Sequence, residues 1–141
     1  YGQLDAYFYA AGWPVAAMVQ LASTKGMELH SFSDEDLKKI NDLIPAYIPS
    51  KIPGGVYDGI DYDVKTPAVS ALLVVSSDLS DDLVYGITKA LWNKNTRKLL
   101  DNGHAKGKQI TAETALDGVA ALGVPLHPGA EKFYKEAGLL K

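Results

Sequence analysis

The chain has 141 residues, of which 47% are hydrophobic and 22% charged; this is enough length and apolar content to bury a core, and it excludes a disordered polypeptide. Fourteen basic residues against seventeen acidic ones leave a formal charge of −3, with no lysine or arginine run able to track a phosphate backbone, so nucleic acid is not an expected partner. Cysteine is absent, which removes disulfides, thiolate catalysis and cysteine-bound metal, and the longest apolar stretch, Ala68 to Val75, falls far short of the roughly 18 residues of a membrane span.

Leu4 to Tyr9 is aromatic and apolar enough to predict a short strand, broken by Gly12-Trp13-Pro14, with Pro14 suited to a first helical position. Val15 to Ala22 is apolar nearly all round and predicts a buried helix stopped at Lys25-Gly26, before a strand at Met27 to Phe32. Ser33 reads as an N-cap, with Asp34, Glu35 and Asp36 in the first turn, where the helix dipole favours negative charge. Leu37, Ile40 and Ile44 share one face of that helix. Pro45, Pro49 and Pro53-Gly54-Gly55 then predict an extended, loop-like connection.

Ile60 to Val64 alternates apolar residues with aspartates, the pattern of a half-exposed strand, whereas Val69 to Val75 is nearly continuous, as in a strand covered on both faces. Ser80 predicts the cap of a long amphipathic helix with Leu83, Ile87, Ala90 and Leu91 as its apolar stripe, ending before Asn102-Gly103. Thr111 to Leu122 reads as a further helix stopped by Gly123, and Pro128 starts a last one that carries Phe133, Ala137 and Gly138. Alternation of this kind predicts the α/β class.

Candidate chemistry is sparse. His30, His104 and His127 sit in different elements without partners at metal-ligand spacing, so no metal site is expected. His127 before a proline-started helix reads as a cap or packing residue. Asp58, Asp61 and Asp63 lack the glycine placement and terminal glutamate of a calcium loop and read as a solvated face. No nucleophile elbow or phosphate loop occurs, and neither a cofactor nor a catalytic residue is expected. What remains is an aromatic cluster, Tyr7, Phe8, Tyr9 and Trp13, next to the helix start at Pro14, with Tyr57 a candidate to meet it across the fold. Free N–H groups at a helix start favour a carboxylate, and aromatic walls exclude water from the contact. Ordinary core packing of the same rings is the competing reading.

Several ordered blocks also resemble a known family. They run from Gly2-Gln3-Leu4-Asp5-Ala6-Tyr7-Phe8 and Gly12-Trp13-Pro14, through Tyr57-x-Gly59, Asp63-Val64-x-Thr66 and Leu72-Leu73-Val74-Val75. They continue with Asp81-Asp82-Leu83-Val84-Tyr85-Gly86-Ile87-Thr88-Lys89-Ala90-Leu91, Ile110-Thr111-x-Glu113, Pro125-Leu126-His127-Pro128-Gly129-Ala130 and Phe133-Tyr134-x-Glu136-x-Gly138. Together they are similar to the C-terminal half of the TAXI branch of TRAP-transporter solute receptors.

That resemblance implies the C-terminal part of a two-lobed periplasmic-binding-protein fold of the second type, hence a truncated fragment. Residues 1–32 would finish the second lobe, and residues 33–141 would return to the first lobe and add the C-terminal helices. It further implies a periplasmic receptor, not an enzyme, that binds glutamate or another small carboxylate and delivers it to a TRAP permease. Phe8, Tyr9, Gly12, Trp13 and Pro14 would line the cleft with Tyr57, and the turn at His127 would serve as a brace. A lone piece of such a fold is expected to expose apolar surface and to form homodimers. A stand-alone α/β interaction domain is the alternative, and a small hydrolase using His104 or His127 a more remote one.

Overall fold

The computed structural model describes residues 4–140, so Gly2 and Gln3 of the first block lie outside the described residues. The chain is mixed α/β. Its described elements are α1 (Ala16–Lys25), α2 (Asp34–Leu43), β1 (Ile48–Ile52), β2 (Val64–Ala68), α3 (Asp81–Leu91), α4 (Lys94–Gly103), a 3₁₀ turn (Ala105–Gln109), α5 (Val119–Leu122) and α6 (Pro128–Glu136).

Helices α2, α3 and α6 start where the sequence predicts them, whereas Pro14, read as a first helical position, lies before the Val15 N-cap of α1. The Ser33 hydroxyl accepts from the Asp36 N–H at 3.1 Å to start α2, and the Ser80 hydroxyl accepts from the Leu83 N–H at 3.4 Å to start α3. Pro128 stands in the first turn of α6, where its missing N–H costs nothing, and His127 caps that helix. The other end of α6 is closed by Gly138, whose φ of 71° lets the Leu139 and Leu140 N–H groups fold back onto the Tyr134 carbonyl.

The burial pattern is more one-sided than the sequence predicts. In α1 only Ala22 is buried, with Met18 and Leu21 half-buried, while Val19 and Gln20 face solvent; the helix lies on the core by a single edge. The buried positions of α3 are Val84 and Thr88, one turn apart; of the predicted stripe Ile87 and Leu91 are half-buried, while Leu83 and Ala90 are exposed. The expected long helix breaks at Trp92-Asn93, because the Asn93 side chain accepts from the Asn95 and Thr96 N–H groups at 2.8 and 2.9 Å and starts α4 afresh. Thr111 to Leu122 is mostly turns, with only Val119–Leu122 helical; the Thr111 and Thr114 hydroxyls bond each other at 2.9 Å instead of capping a helix.

The strands depart furthest from prediction. The described residues form one two-stranded antiparallel sheet, β1 against β2, with Pro49 opposite Pro67. A proline has no N–H, so this pair must occupy a rung where the N–H groups would point away from the partner strand. The connection expected to be loop-like therefore contains β1. Only Val64 of the predicted Ile60 to Val64 strand is in β2, and Tyr57 and Ile60 form an isolated bridge across a turn.

Met27 to Phe32 is not a strand, although its end lies along β2: the Phe32 N–H reaches the Lys65 carbonyl at 3.0 Å, and the Lys65 N–H reaches the Ser31 hydroxyl at 3.0 Å. The next outward-facing position on β2 is Pro67, which has no N–H to offer, so the ladder ends there. Leu4 to Tyr9 and Val69 to Val75 are likewise irregular. Neither has a partner strand among the described residues, and Phe8 is 97%, Leu73 69% and Val74 74% exposed.

Two packed regions result. The first has Ala22, Tyr57, Ile60 and Val64 at its centre, with Trp13, Met18, Met27, Leu29, Ile52 and Val56 packed around them. Lys51 and Lys65 stand opposite each other on the sheet, and each is neutralised separately, by Asp63 at 2.5 Å and by Asp34 at 2.8 Å. The second region is α3 against α6, where Trp92 Nε1 donates to the Tyr134 hydroxyl at 3.1 Å and the Tyr85 hydroxyl to Glu136 at 2.7 Å. Gly129 is buried at this crossing, where any Cβ would collide with the Asp81 carbonyl.

Candidate functional site

The turn before α1 is built by contacts from two distant parts of the chain, Tyr57 and the 3₁₀ turn. Trp13 and Pro14 are joined by a cis peptide bond, and the half-buried Trp13 ring packs against the first core. The Trp13 carbonyl accepts from Gln109 Nε2 at 2.6 Å, across 96 positions of sequence. Tyr57, only 3% exposed, meets the turn as anticipated: its hydroxyl accepts from the Val15 N–H at 3.1 Å. Gly12 is half-buried beneath the side chain of Lys106, whose Cε lies 2.9 Å from where a Cβ on residue 12 would sit.

The start of α1 differs electrically from those of α2 and α3. Its N-cap, Val15, offers no side-chain acceptor, and its first turn carries no acidic residue. Among the described residues only the Tyr57 hydroxyl is bonded at this start, to the Val15 N–H. Tyr9 and Phe8 are 61% and 97% exposed, so the structure gathers Gly12, Trp13, Pro14 and Tyr57 and leaves these two rings out in solvent.

Lys106 and Gln109 were missed at the sequence level. They lie on a 3₁₀ turn nearly a hundred positions downstream, and no spacing rule connects them to residue 13. The turn is anchored by Arg97, which donates to the Gly107 carbonyl at 2.6 Å, to the Ile110 carbonyl and to Asp101. His104 adds an acceptor for the Lys106 N–H at 3.1 Å.

Of the other sequence candidates, His127 and Asp63 have structural partners. His127 Nδ1 accepts from the Gly129 N–H at 3.2 Å, and its Nε2 lies 3.0 Å from the Leu79 carbonyl, so the ring holds α6 to the start of α3. The acceptor role of Nδ1 puts the proton on Nε2, which donates to Leu79. Asp58, Asp61 and Asp63 are all exposed. Asp63 bonds Lys51 and the Gly54 N–H, and these bonds hold its carboxyl below the usual carboxylate range. The Tyr85 phenol is pushed up by its bond to Glu136. Neither group touches the turn.

Residues 1–138 align with a class of periplasmic-binding-protein-like proteins whose role is to bind solutes. Within that class the chain belongs to the NMT1-like family, whose sequence model matches those residues. Proteins of this kind are typically extracytoplasmic, and no described helix is long and apolar enough to cross a membrane.

Proposed function

We propose that the chain is part of an extracytoplasmic receptor of a TRAP-type secondary transporter, of the TAXI branch, which binds a small organic anion such as glutamate or another carboxylate. One observation carries this reading beyond the family: the α1 start, uncapped by any acid or polar N-cap, sits beside a half-buried tryptophan at a turn gripped from two distant segments. Such a corner offers backbone N–H groups and an apolar wall to a carboxylate. Gly12, Trp13, Pro14 and Tyr57 form its floor, and Phe8 and Tyr9 come into contact only when a solute or a second lobe covers them. Binding stores no chemistry, and the reading assigns no catalytic residue and no cofactor. Residues 1–32 end one lobe and residues 33–141 return to the other in a fold of the second periplasmic type, with a membrane permease as acceptor of the solute.

Thermal melting in the presence of L-glutamate, succinate, glutarate, 2-oxoglutarate and 4-methylvalerate tests the reading, because a ligand at a hundred times its Kd adds about 2.7 kcal/mol to stability. A rise of several degrees with at least one carboxylate is expected, and no rise with any of them refutes the anion assignment. Calorimetry on Trp13→Ala should then show weaker binding; unchanged affinity removes that ring from the site.

A second feature bears on partners. Leu4, Phe8, Leu73 and Val74 are exposed on irregular segments, an apolar surface that favours self-association of this chain.

A further inference from the structure

Charge is spread unevenly along this chain. Residues 94–113, which form α4 and the 3₁₀ turn and run on to Glu113, carry five lysines and arginines against two acids, whereas the rest carries nine against fifteen. Arg97 is neutralised within this stretch by Asp101 at 2.8 Å. The other four cations, Lys94, Lys98, Lys106 and Lys108, have no acidic partner in contact among the described residues, unlike Lys38, Lys39, Lys51, Lys65 and Lys135. A basic stretch left unneutralised in an acidic chain draws acidic surfaces towards it and repels basic ones.

The same stretch holds an apolar groove. Arg97 straps α4 to the residues after it by donating to the Gly107 and Ile110 carbonyls. Two cavities beside this strap share Leu100 as a wall. One, of about 300 Å³, is bordered by Leu99, Gly103 and Ile110 and is lined by apolar atoms almost throughout. The other, of about 460 Å³, is bordered by Trp92, Lys94, Lys98 and Thr111. No residue of α4 is fully buried, and Leu99 and Ile110 are 72% and 44% exposed beside the first cavity, so its apolar face has no cover among the described residues. A bilayer surface meets flat or convex protein faces, whereas an open apolar slot takes a single bulky side chain, as the anchors of protein interfaces do.

We infer that the groove beside α4 docks an acidic polypeptide segment of a partner protein that carries one bulky apolar residue. The apolar side chain enters beside Leu99, Leu100 and Ile110, and its acidic neighbours lie along Lys94 and Lys98, one turn apart on α4. Charge selects the partner and the slot fixes its register. This surface is separate from the turn at Trp13 and does not depend on which solute that turn receives.

Fluorescence anisotropy on the full chain with three labelled heptapeptides tests it: a leucine between two runs of three glutamates, the same peptide with a central alanine, and a leucine between two runs of three lysines. The glutamate–leucine peptide is expected to bind about tenfold or more tightly than either control, and to weaken as salt rises from about 50 to about 500 mM. Lys94→Glu with Lys98→Glu, and separately Leu99→Asn, should each weaken that peptide about tenfold or more. All three positions are exposed, so the variants should stay folded, as circular dichroism and melting will verify. No binding of the glutamate–leucine peptide overturns the inference, as does equal binding of the alanine or lysine control. Full affinity in both variants overturns the assignment to this groove. Retention of the chain on phosphatidylglycerol vesicles, without binding of the peptide, assigns the basic stretch to a membrane surface and overturns the inference in that way.

Discussion

Replacing His127 with alanine removes three things at once. The α6 cap is lost, which costs about 1 kcal/mol. The Leu79 carbonyl loses its donor, about 1 kcal/mol more. The side chain is only 7% exposed, so its removal also leaves a space between α6 and the start of α3, worth about another 1 kcal/mol if the helices partly close on it. The sum, about 3 kcal/mol, should move the urea midpoint by at least about 1 M for a chain of this size. His127→Asn separates the contributions: asparagine caps well but falls short of Leu79, so it should recover about 1 kcal/mol of the loss. The reasoning fails if alanine costs less than about 1 kcal/mol, or if asparagine is no better than alanine, since either result would mean that the ring does not hold the two helices together.

The acid limb of stability should depend on Asp63. Its carboxyl is held low in the folded chain by Lys51 and the Gly54 N–H, so its contribution is present above the ordinary carboxylate range and is lost as pH falls through the folded value. Melting curves from about pH 6 to pH 2 should therefore flatten in Asp63→Asn relative to wild type. Gly129→Ala should destabilise by roughly 2 kcal/mol or more in chemical denaturation, because its Cβ meets the Asp81 carbonyl. Leu73→Lys with Val74→Lys should change stability by no more than about 0.5 kcal/mol, both positions being exposed. The same pair should shift any dimer seen by light scattering towards monomer, and an unchanged dimer would put the self-association surface elsewhere.

The helices that could be read from sequence are those whose ends are chemically marked. Ser33, Ser80 and Pro128 each announce a start through a group the first turn needs, and all three operate in the structure. Asn93 carries the same kind of signal but stands inside a continuous helical pattern, which concealed the break. Strands carry no comparable local mark. Val69 to Val75 has the composition of a covered strand, yet composition cannot supply the neighbour that a ladder requires, and among the described residues none is there. The aromatic turn was legible because Trp13-Pro14 sits beside a helix start, and so was Tyr57 as its partner. Lys106 was not, because what distinguishes it is a side chain lying on a glycine, a contact that exists only once residues 12 and 106 are brought together.

The facing prolines of the sheet have a consequence for association. A free sheet edge recruits other chains by presenting a regular row of donors and acceptors, the template from which amyloid-like stacking grows. Here Pro49 leaves a gap in that row on one edge and Pro67 on the other, while the segment ending at Phe32 occupies the groups of Lys65. A second copy can therefore gain little by docking on the ribbon. Self-association is left to the apolar stretches around Phe8 and Leu73, so the prolines steer which surface is sticky.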